Sequence, residues 1–124
     1  MTSWTADELS RIAAADELEL AARRPDGSLR SPVTIWVVRY LDGLYVRSWR
    51  GATAAWFRAV QAGREGRISA GGVAKDVVFV AVGEQGLNNA VDVAYRSKYG
   101  RSRYATPMVS EPAHSTTLTV VPRA

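Results

Sequence analysis

The residues best suited to chemistry lie close together near the middle of the chain, in the stretch YVRSWRG. Arg47, Ser48 and Arg50 fall within a few positions of one another. A guanidinium group can bond two phosphate oxygens at once, and a serine hydroxyl adds a further donor. Thr53 is expected to cap a helix that begins next, and the free N–H groups at a helix start attract anions. This pattern predicts a site for a phosphate-bearing ligand.

Strand alternation sets a condition on that site. A strand running up to Arg50 places Ser48 and Arg50 on one face and Arg47 on the other. The three side chains reach one ligand only if the strand bends or ends there, which Gly51 permits. In the structural alternative, Arg47 stacks on Trp49 or pairs with an acid, and Arg50 is solvated.

A second basic and aromatic group follows between residues 95 and 104. Aromatic rings interleaved with cations can stack on a flat ligand ring and neutralise a phosphate tail. The group comprises Tyr95, Lys98, Tyr99, Arg101, Arg103 and Tyr104. In the structural alternative, Tyr95 belongs to the core and the cations lie at a helix C-terminus, where the helix dipole favours them.

No side chain stands out as a catalyst. His114 is the only histidine, which excludes a multi-histidine metal site, and its neighbours show no nucleophile elbow. The chain has no cysteine, which excludes disulfides, thiolate nucleophiles and cysteine metal sites. The catalytic residue is therefore unassigned, with a tyrosine as the first candidate for a proton donor, and no metal is expected.

Length and composition indicate an ordinary globular protein. The 124 residues fit a single domain over residues 1 to 124, and 47% are hydrophobic and 23% charged. The net charge of +4, with 14 arginines and only two lysines, favours anionic partners, although a GC-rich genome also explains an arginine excess. Weak nucleic-acid binding is a third hypothesis that rests on charge alone, and it is disfavoured because acids such as Asp42, Glu65 and Asp92 interrupt any basic stripe.

We expect neither a targeting segment nor a membrane-spanning segment in this sequence. Its N-terminus, MTSWTADEL, lacks the basic and apolar regions of a signal peptide. The longest strongly apolar run, VVFVAV at residues 77 to 82, is far too short to cross a bilayer. We therefore expect a cytoplasmic protein without membrane contact.

The elements that must position these residues follow from local signals. Three helices are expected: one capped by Thr5 and Glu8, one beginning near Thr53, and one over residues 87 to 98 that ends at Gly100. The segment from about 101 to 115 is expected to be a long loop. Alternating apolar residues and turn signals predict six strands, which lie at 17 to 23, 32 to 40 and 44 to 50, at 66 to 82 as a hairpin turned near Gly71-Gly72, and at 116 to 123.

Hairpin connections and few crossover helices predict an antiparallel sheet and a mainly β member of the α+β class. A sheet of this many strands in a short chain avoids open edges by curling into a barrel. The run at residues 33 to 38 is apolar on both alternations. It is therefore expected to be covered on both faces.

The runs PVTIWVVRYLDGLYVRSWRG, AAWFRAV, GRISAGG and AYRSKYG resemble a bacterial domain-of-unknown-function family, number 2255, over nearly the whole chain. The middle stretch is more distantly similar to the split-barrel flavin-binding superfamily, which includes pyridoxamine-phosphate-oxidase-like proteins and deazaflavin-dependent nitroreductases. This resemblance implies a six-stranded antiparallel split β-barrel with two or three flanking helices. It also implies a homodimer.

The same resemblance implies where a cofactor would bind. In this superfamily the cofactor phosphate lies near a strand end and the start of the next helix. The matching positions are Arg47, Ser48, Arg50 and Gly51. Trp49, Trp56 or Tyr104 could border the cofactor ring, and Lys98 of the second basic group completes the set of candidate binding residues.

The leading hypothesis is therefore a flavin- or deazaflavin-binding oxidoreductase-like protein that takes FMN or the deazaflavin coenzyme. The alternative is a non-enzymatic split-barrel module that binds a small anionic ligand or a protein partner. The two differ in their structural requirements. The cofactor hypothesis requires a concave pocket into which Arg47 or Arg50 points, whereas the module hypothesis predicts arginines paired with acids and no cavity.

Overall fold

A computed structural model describes residues 3 to 103 and 105 to 123. In this part of the chain the strands are β1 Leu18–Ala22, β2 Val33–Ile35, β3 Val38–Tyr40, β4 Gly43–Val46, β5 Glu65–Ala70, β6 Val73–Ala81 and β7 Leu118–Pro122. The helices are α1 Ala6–Ala14, α2 Ala55–Gly63, α3 Gln85–Tyr99, α4 Ala105–Val109 and α5 Glu111–His114, with a 3₁₀ turn at Gly51–Thr53.

The strands form one antiparallel sheet that curls back on itself. Their order is β2-β1-β5-β6-β7-β4-β3, so the two edge strands, β2 and β3, are consecutive in the chain. Only Trp36 and Val37 separate them. Consecutive Cα atoms lie about 3.8 Å apart, so Ile35 and Val38 are at most about 11 Å apart. The edges of the sheet therefore approach each other, and the expected antiparallel split β-barrel is confirmed.

The strand count of six was too low because one predicted strand is two. Residues 32 to 40 were expected to form a single strand. In the structure Ile35 pairs with Leu18 of β1, whereas Val38 pairs with Tyr45 of β4. The segment crosses from one edge of the barrel to the other, so Trp36 and Val37 leave the hydrogen-bonded ladder. Its apolar character on both alternations reflects this crossing.

The N-terminal helix begins as its sequence signals predicted. The Thr5 hydroxyl accepts from the Glu8 N–H at 3.1 Å, and the Glu8 carboxylate accepts from the Thr5 N–H at 2.9 Å. This capping box aims Leu9 and Ile12 into the barrel. The Trp4 indole donates to the Val120 carbonyl at 2.9 Å and so ties the helix start to β7.

Side chains from both faces of the sheet are buried, in two separate clusters. The inner cluster fills the barrel and is closed by α1 and α2; its largest members include Leu9, Ile12, Leu18, Leu20, Leu44, Phe57, Ile68 and Phe79. The outer cluster lies between α3 and the opposite face of β3 and β4; it includes Val38, Tyr45, Val91, Tyr95, Tyr99, Ala105, Met108 and Ala113. Along β4, Leu44 and Val46 enter the inner cluster and Tyr45 the outer one, as alternation requires.

The segment from 101 to 115 is helical rather than a loop. It contains α4 and α5, of five and four residues. Helices this short leave no readable periodicity in a sequence and have little stability of their own. Their stability comes from burial of Met108 and Ala113 in the outer cluster and from Pro112, which suits the first turn of α5. Two further helices therefore join the three expected.

Among the described residues, no helix is both long and apolar enough to cross a membrane.

Candidate functional site: a tryptophan-lined cleft

A cleft of about 550 Å³ opens between β2, the turn after β4 and the start of α2. Its volume falls in the range typical of small-molecule sites. It is lined by Glu17, Val33, Thr34, Ile35, Trp36, Ser48, Trp49, Arg50, Ala54, Ala55, Trp56 and Met108. We call it the tryptophan cleft, because three of its walls are indole rings.

A tight turn after β4 brings Arg50 to this cleft. The Gly51 N–H donates to the Ser48 carbonyl at 2.9 Å, and the Ser48 hydroxyl donates to the Gly51 carbonyl at 2.8 Å. Gly51 has a φ of +75° and packs on Pro112, where an added Cβ would lie 3.3 Å from the proline ring. Gly51 therefore shapes the turn rather than lining the cleft. Arg50 then lies over the ring of Trp49, with its Cζ 5.4 Å from the ring centroid.

The start of α2 presents an uncapped helix end to the cleft. Thr53 was expected to be the N-cap, but it closes the 3₁₀ turn, where its hydroxyl donates to the Arg50 carbonyl at 3.2 Å. The N-cap is Ala54, and no side chain caps the first turn. Ala54, Ala55 and Trp56 all line the cleft. The positive end of the helix dipole is therefore directed to the same cleft as the Arg50 guanidinium.

The indole walls are held to different degrees. Trp36 stacks on Tyr99, with 3.9 Å between ring centroids and an interplanar angle of 2°. Trp56 meets Phe57 edge to face at 5.9 Å. Trp49 is 53% exposed at the mouth. Packing therefore fixes two flat apolar walls, while the third is accessible to a ligand.

The β2 side of the cleft carries hydrogen-bond acceptors, in contrast to the cationic side at Arg50. Glu17 and Thr34 line it there. A carboxylate accepts hydrogen bonds and a hydroxyl can donate or accept. The lining thus combines a cation, an anion and flat apolar surface, which suits an aromatic ring that carries N–H groups and an anionic tail.

Arg47 lies in the interior instead of at the cleft. It is 1% exposed, and its guanidinium makes five hydrogen bonds. The acceptors are Thr117 Oγ1, the Asp92 carboxylate, the Met108 carbonyl and both oxygens of Asn88. Its Cζ also lies 5.4 Å from the centre of the Tyr95 ring. No N–H of Arg47 is left for a ligand.

The Arg47 network holds the turn and the short helices in place. Asp92 also contacts His114 of α5, with 3.1 Å between a carboxylate oxygen and Nδ1. The network therefore links the end of β4 to α3, α4 and α5. Because Met108 lines the cleft and its carbonyl accepts from Arg47, the network helps to position one wall of the cleft.

Lys98 and Tyr99 act on the segment that closes the barrel. The Lys98 ammonium donates to the Val37 carbonyl at 2.7 Å, and the Tyr99 hydroxyl donates to the Asp16 carbonyl at 2.7 Å. Desolvation lowers the pKa of Lys98, and the nearby charge of Asp16 partly opposes this. Burial raises the pKa of Tyr99 to about 12. Lys98 does not line the tryptophan cleft, although its neighbour Tyr99 supports the Trp36 wall from behind.

The eight residues predicted for the site therefore separate into groups. Ser48, Trp49, Arg50 and Trp56 line one cleft. Gly51, Arg47 and Lys98 lie behind it or beside it. Tyr104 falls outside the described residues.

Sequence reasoning missed several lining residues. Trp36 and Met108 were assigned to a continuous strand and a loop, so neither was expected at a site. Asn88 and Asp92, the partners of Arg47 on α3, were also missed. Their spacing places them on one side of the same helix, but nothing in the sequence marks them as the partners of a buried cation.

Among the described residues, no group of three or more His, Asp or Glu side chains could hold a metal ion.

No curated protein is significantly similar to the chain.

Solved structures share the fold at low sequence identity. The heme storage protein HutZ from Vibrio cholerae is 13% identical, with a TM-score of 0.69 over 93% of this chain and 87% of that one. An F420-H2 dependent reductase is also 13% identical, with a TM-score of 0.60 over 86% and 93%. A FAD-binding protein from Mesorhizobium loti is 16% identical, with a TM-score of 0.56 over 98% and 91%. These likenesses show a split-barrel fold.

The family model described as "Uncharacterized protein conserved in bacteria (DUF2255)" matches residues 8 to 120. The matched residues include every strand of the barrel in part or whole, the turn that carries Arg50, and helices α2 to α5. The chain belongs to this bacterial family.

Proposed function

We propose that the tryptophan cleft binds a flavin-type cofactor, FMN or the deazaflavin coenzyme, and that the protein is an oxidoreductase-like member of the split-barrel superfamily. One observation carries the proposal. A single cleft of about 550 Å³ combines three indole walls with the guanidinium of Arg50 and the uncapped start of α2.

The anionic end of the cofactor is assigned to Arg50 and the first turn of α2. A guanidinium binds phosphate oxygens through parallel hydrogen bonds, and free N–H groups at a helix start add donors and a favourable dipole. The Arg50 carbonyl accepts a hydrogen bond from the Thr53 hydroxyl, and the Arg50 side chain lies over the Trp49 ring. Stacking on the ring restricts the guanidinium before the ligand arrives, which lowers the entropic cost of binding.

The ring of the cofactor is assigned to the space between Trp36 and Trp56. Flat apolar walls match a flat ring, and stacking contacts add to the gain from burying its surface. Glu17 and Thr34 supply acceptors for ring N–H groups or for hydroxyls of the linking chain. When bound, such a cofactor supplies hydride transfer, while the residues of the cleft bind it, orient it and exclude water.

Names of the structural neighbours support this assignment. They include an F420-H2 dependent reductase and a FAD-binding protein, although HutZ is named as a heme storage protein. Fold alone does not determine function, so the assignment depends on the cleft.

The proposal is tested by titrating purified protein with FMN and with the deazaflavin coenzyme. Tryptophan fluorescence is the readout, since three of the four tryptophans line the cleft. We expect saturable quenching, and at least about tenfold weaker binding in Arg50→Ala, because a charge-assisted hydrogen bond contributes roughly 1.5–3 kcal/mol.

The matched control is Arg96→Ala, which removes an exposed arginine of α3 that does not line the cleft. It should bind as the unsubstituted protein does. Failure of both cofactors to bind, or equal weakening in Arg96→Ala and Arg50→Ala, would refute the proposal.

A second candidate function is supported by Arg47. The module hypothesis predicted arginines paired with acids and no cavity. Arg47 is paired with Asp92, which agrees with it, whereas the tryptophan cleft is present, which does not. In this case the cleft binds a small anionic ligand or a protein partner without redox chemistry. The titration separates the two, because such a module binds neither cofactor. The homodimer, the single domain and the cytoplasmic location remain predictions.

A further inference from the structure

A second cleft lies at the opposite end of α2 from the tryptophan cleft. Its volume is about 590 Å³. It is lined by Arg23, Arg24, Pro25, Gly27, Arg30, Ala59, Ala62, Gly63, Glu65 and Arg123. We call it the arginine cleft. It shares no lining residue with the tryptophan cleft, so the two clefts are separate.

The charge of the arginine cleft favours an anion. Four guanidinium groups line it against one carboxylate, Glu65. Asp26 lies in the adjoining turn, where it accepts from the Ser28 N–H and hydroxyl. The C-terminal end of α2 adds a partial charge of roughly −0.5. Asp76 lies beside the cleft as well and pairs with both Arg23 and Arg67. Counted together, these side chains are five guanidinium groups against three carboxylates, so a modest excess of positive charge is left.

Two of the arginines are held in place by the turn that follows β1. Arg23 donates to the Gly27 carbonyl at 2.6 Å and to the Asp76 carboxylate at 3.0 Å. Arg24 donates to the Leu29 carbonyl at 2.9 Å. The bonds to backbone carbonyls fix both guanidinium groups, whereas the Asp76 carboxylate also offsets part of the charge of Arg23. The entropic cost of ordering these long side chains is therefore met on folding rather than on binding.

The other two arginines leave donors available. Arg123 pairs with Glu65 through one nitrogen at 3.2 Å. Arg30 is exposed and, within the described part of the chain, makes no ion pair and no side-chain hydrogen bond. A guanidinium carries five N–H donors. The cleft therefore combines guanidinium groups that the protein holds in place with others that keep N–H donors available. This combination suits an oxyanion with several oxygen atoms.

We propose that the arginine cleft is a second anion site, which binds a small ligand carrying two or more phosphate groups. The number of arginines exceeds what a single phosphate uses, and the volume is that of a small-molecule site. This site is independent of the proposed cofactor function, because it lies at the other end of α2.

The proposal is tested by titrating the protein with inorganic pyrophosphate, using calorimetry and amide chemical shifts, at constant ionic strength set with sodium chloride. We expect saturable binding and shifts confined to residues around the cleft. Arg30→Ala should weaken binding about tenfold, as the loss of charge-assisted hydrogen bonds predicts. Arg30 has no intramolecular side-chain partner among the described residues, so this variant should fold normally.

Arg96→Ala is the control, since it makes the same change of net charge on α3, outside both clefts. It should leave pyrophosphate binding unchanged. Equal weakening in the two variants, or no saturable binding, would show that the arginines form only a solvated basic surface.

The tryptophan fluorescence identifies the cleft that is occupied. No tryptophan lines the arginine cleft, whereas three line the other. Pyrophosphate binding without a fluorescence change supports the second site. Binding that quenches fluorescence and is lost in Arg50→Ala would place the anion in the tryptophan cleft and overturn the proposal, whatever the result of the cofactor titration.

Discussion

A buried arginine whose donors are all engaged acts on structure rather than on ligands. Arg47 continues the face of Tyr45 on β4, and that face is covered by α3 and α4. Alternation therefore carries its side chain away from the face of Ser48 and Arg50. The guanidinium is paired with Asp92 and bonded to the carbonyls of Asn88 and Met108. This pairing makes its burial tolerable.

Replacing Arg47 by alanine should strongly destabilise the protein. The partly buried Asp92 carboxylate and the buried carbonyl acceptors would lose their cation, and breaking a fully buried pair costs up to about 3–5 kcal/mol. The free energy of unfolding, measured by urea denaturation, should fall by up to that amount. Arg47→Lys should also be destabilising, because an ammonium has only three donors.

The control for this prediction is Arg96→Ala, which should change the free energy of unfolding by no more than about 0.5 kcal/mol. A loss below about 1 kcal/mol in Arg47→Ala would mean that water replaces the guanidinium and that the network does not stabilise the fold.

At the level of elements, α2 connects the two clefts. Its first turn, at Ala54 and Ala55, opens on the tryptophan cleft, and its last turn, at Ala62 and Gly63, opens on the arginine cleft. The helix has nine residues, so it is about 14 Å long. An alanine N-cap is a poor choice for stability, since Ser, Thr, Asn and Asp are strongly preferred there. The missing cap keeps the N–H groups of the first turn available.

Providing the missing cap should stabilise the helix and weaken anion binding together. Ala54 has a φ of −62° and a ψ of 135°, an extended conformation that suits an N-cap, so neither asparagine nor aspartate should strain the backbone there. Ala54→Asn and Ala54→Asp should each raise the free energy of unfolding by about 0.5–2 kcal/mol in urea denaturation.

The two variants separate capping from charge. Both side chains occupy the N–H groups of the first turn, but only aspartate adds a negative charge beside Arg50. Cofactor binding, followed by tryptophan fluorescence, should weaken in Ala54→Asn and weaken further in Ala54→Asp. Unchanged binding in both would show that the first turn of α2 takes no part in holding the anionic end of the ligand.

At the level of the whole molecule, the barrel is closed by a single short crossing. Trp36 and Val37 join the two edge strands, and α3 secures this crossing from outside. Tyr99 stacks on Trp36 and its hydroxyl contacts the Asp16 and Val37 carbonyls at 2.7 and 3.1 Å. Lys98 donates to the same Val37 carbonyl. The residues that close the barrel therefore also build one wall of the tryptophan cleft.

The free energy of unfolding should depend on pH through Tyr99, which holds the crossing that closes the barrel. Its pKa is raised from 10.0 to about 12, chiefly by burial. Between these values the unfolded chain loses the proton first, so it binds fewer protons than the folded chain and stability falls as the pH rises. The free energy of unfolding, measured by urea denaturation from pH 10 to 12, should decrease.

In Tyr99→Phe this decrease should be smaller, although the variant starts from a lower stability because the hydroxyl contacts are lost. Burial also raises the pKa of Tyr45 and Tyr95, so part of the decrease should persist. Lys98, whose pKa is lowered, acts in the opposite sense and only below its usual value of 10.5. An identical pH dependence in the variant and the unsubstituted protein would contradict a role for Tyr99.

Local chemistry made much of this fold readable from the sequence. The Thr5 and Glu8 capping box, the hairpin near Gly71-Gly72 and the periodicity of α3 depend on residues close together in the chain, and each is present as predicted. The resemblance of the middle stretch also led to the split barrel. Four of the eight predicted site residues line one cleft for the same reason, since they lie within a single turn and the helix that follows it.

Tertiary structure decided what depends on partners distant in sequence. The run from Val33 to Val38 became two strands because the sheet curls, and α4 and α5 formed because the outer cluster buries them. Arg47 became structural because Asp92, 45 positions away, lies opposite it. The sequence by itself determined which residues carry charge and where elements begin, because those properties are local. Which cation faces a cleft and which is buried was decided only by the packing of α3 against the barrel.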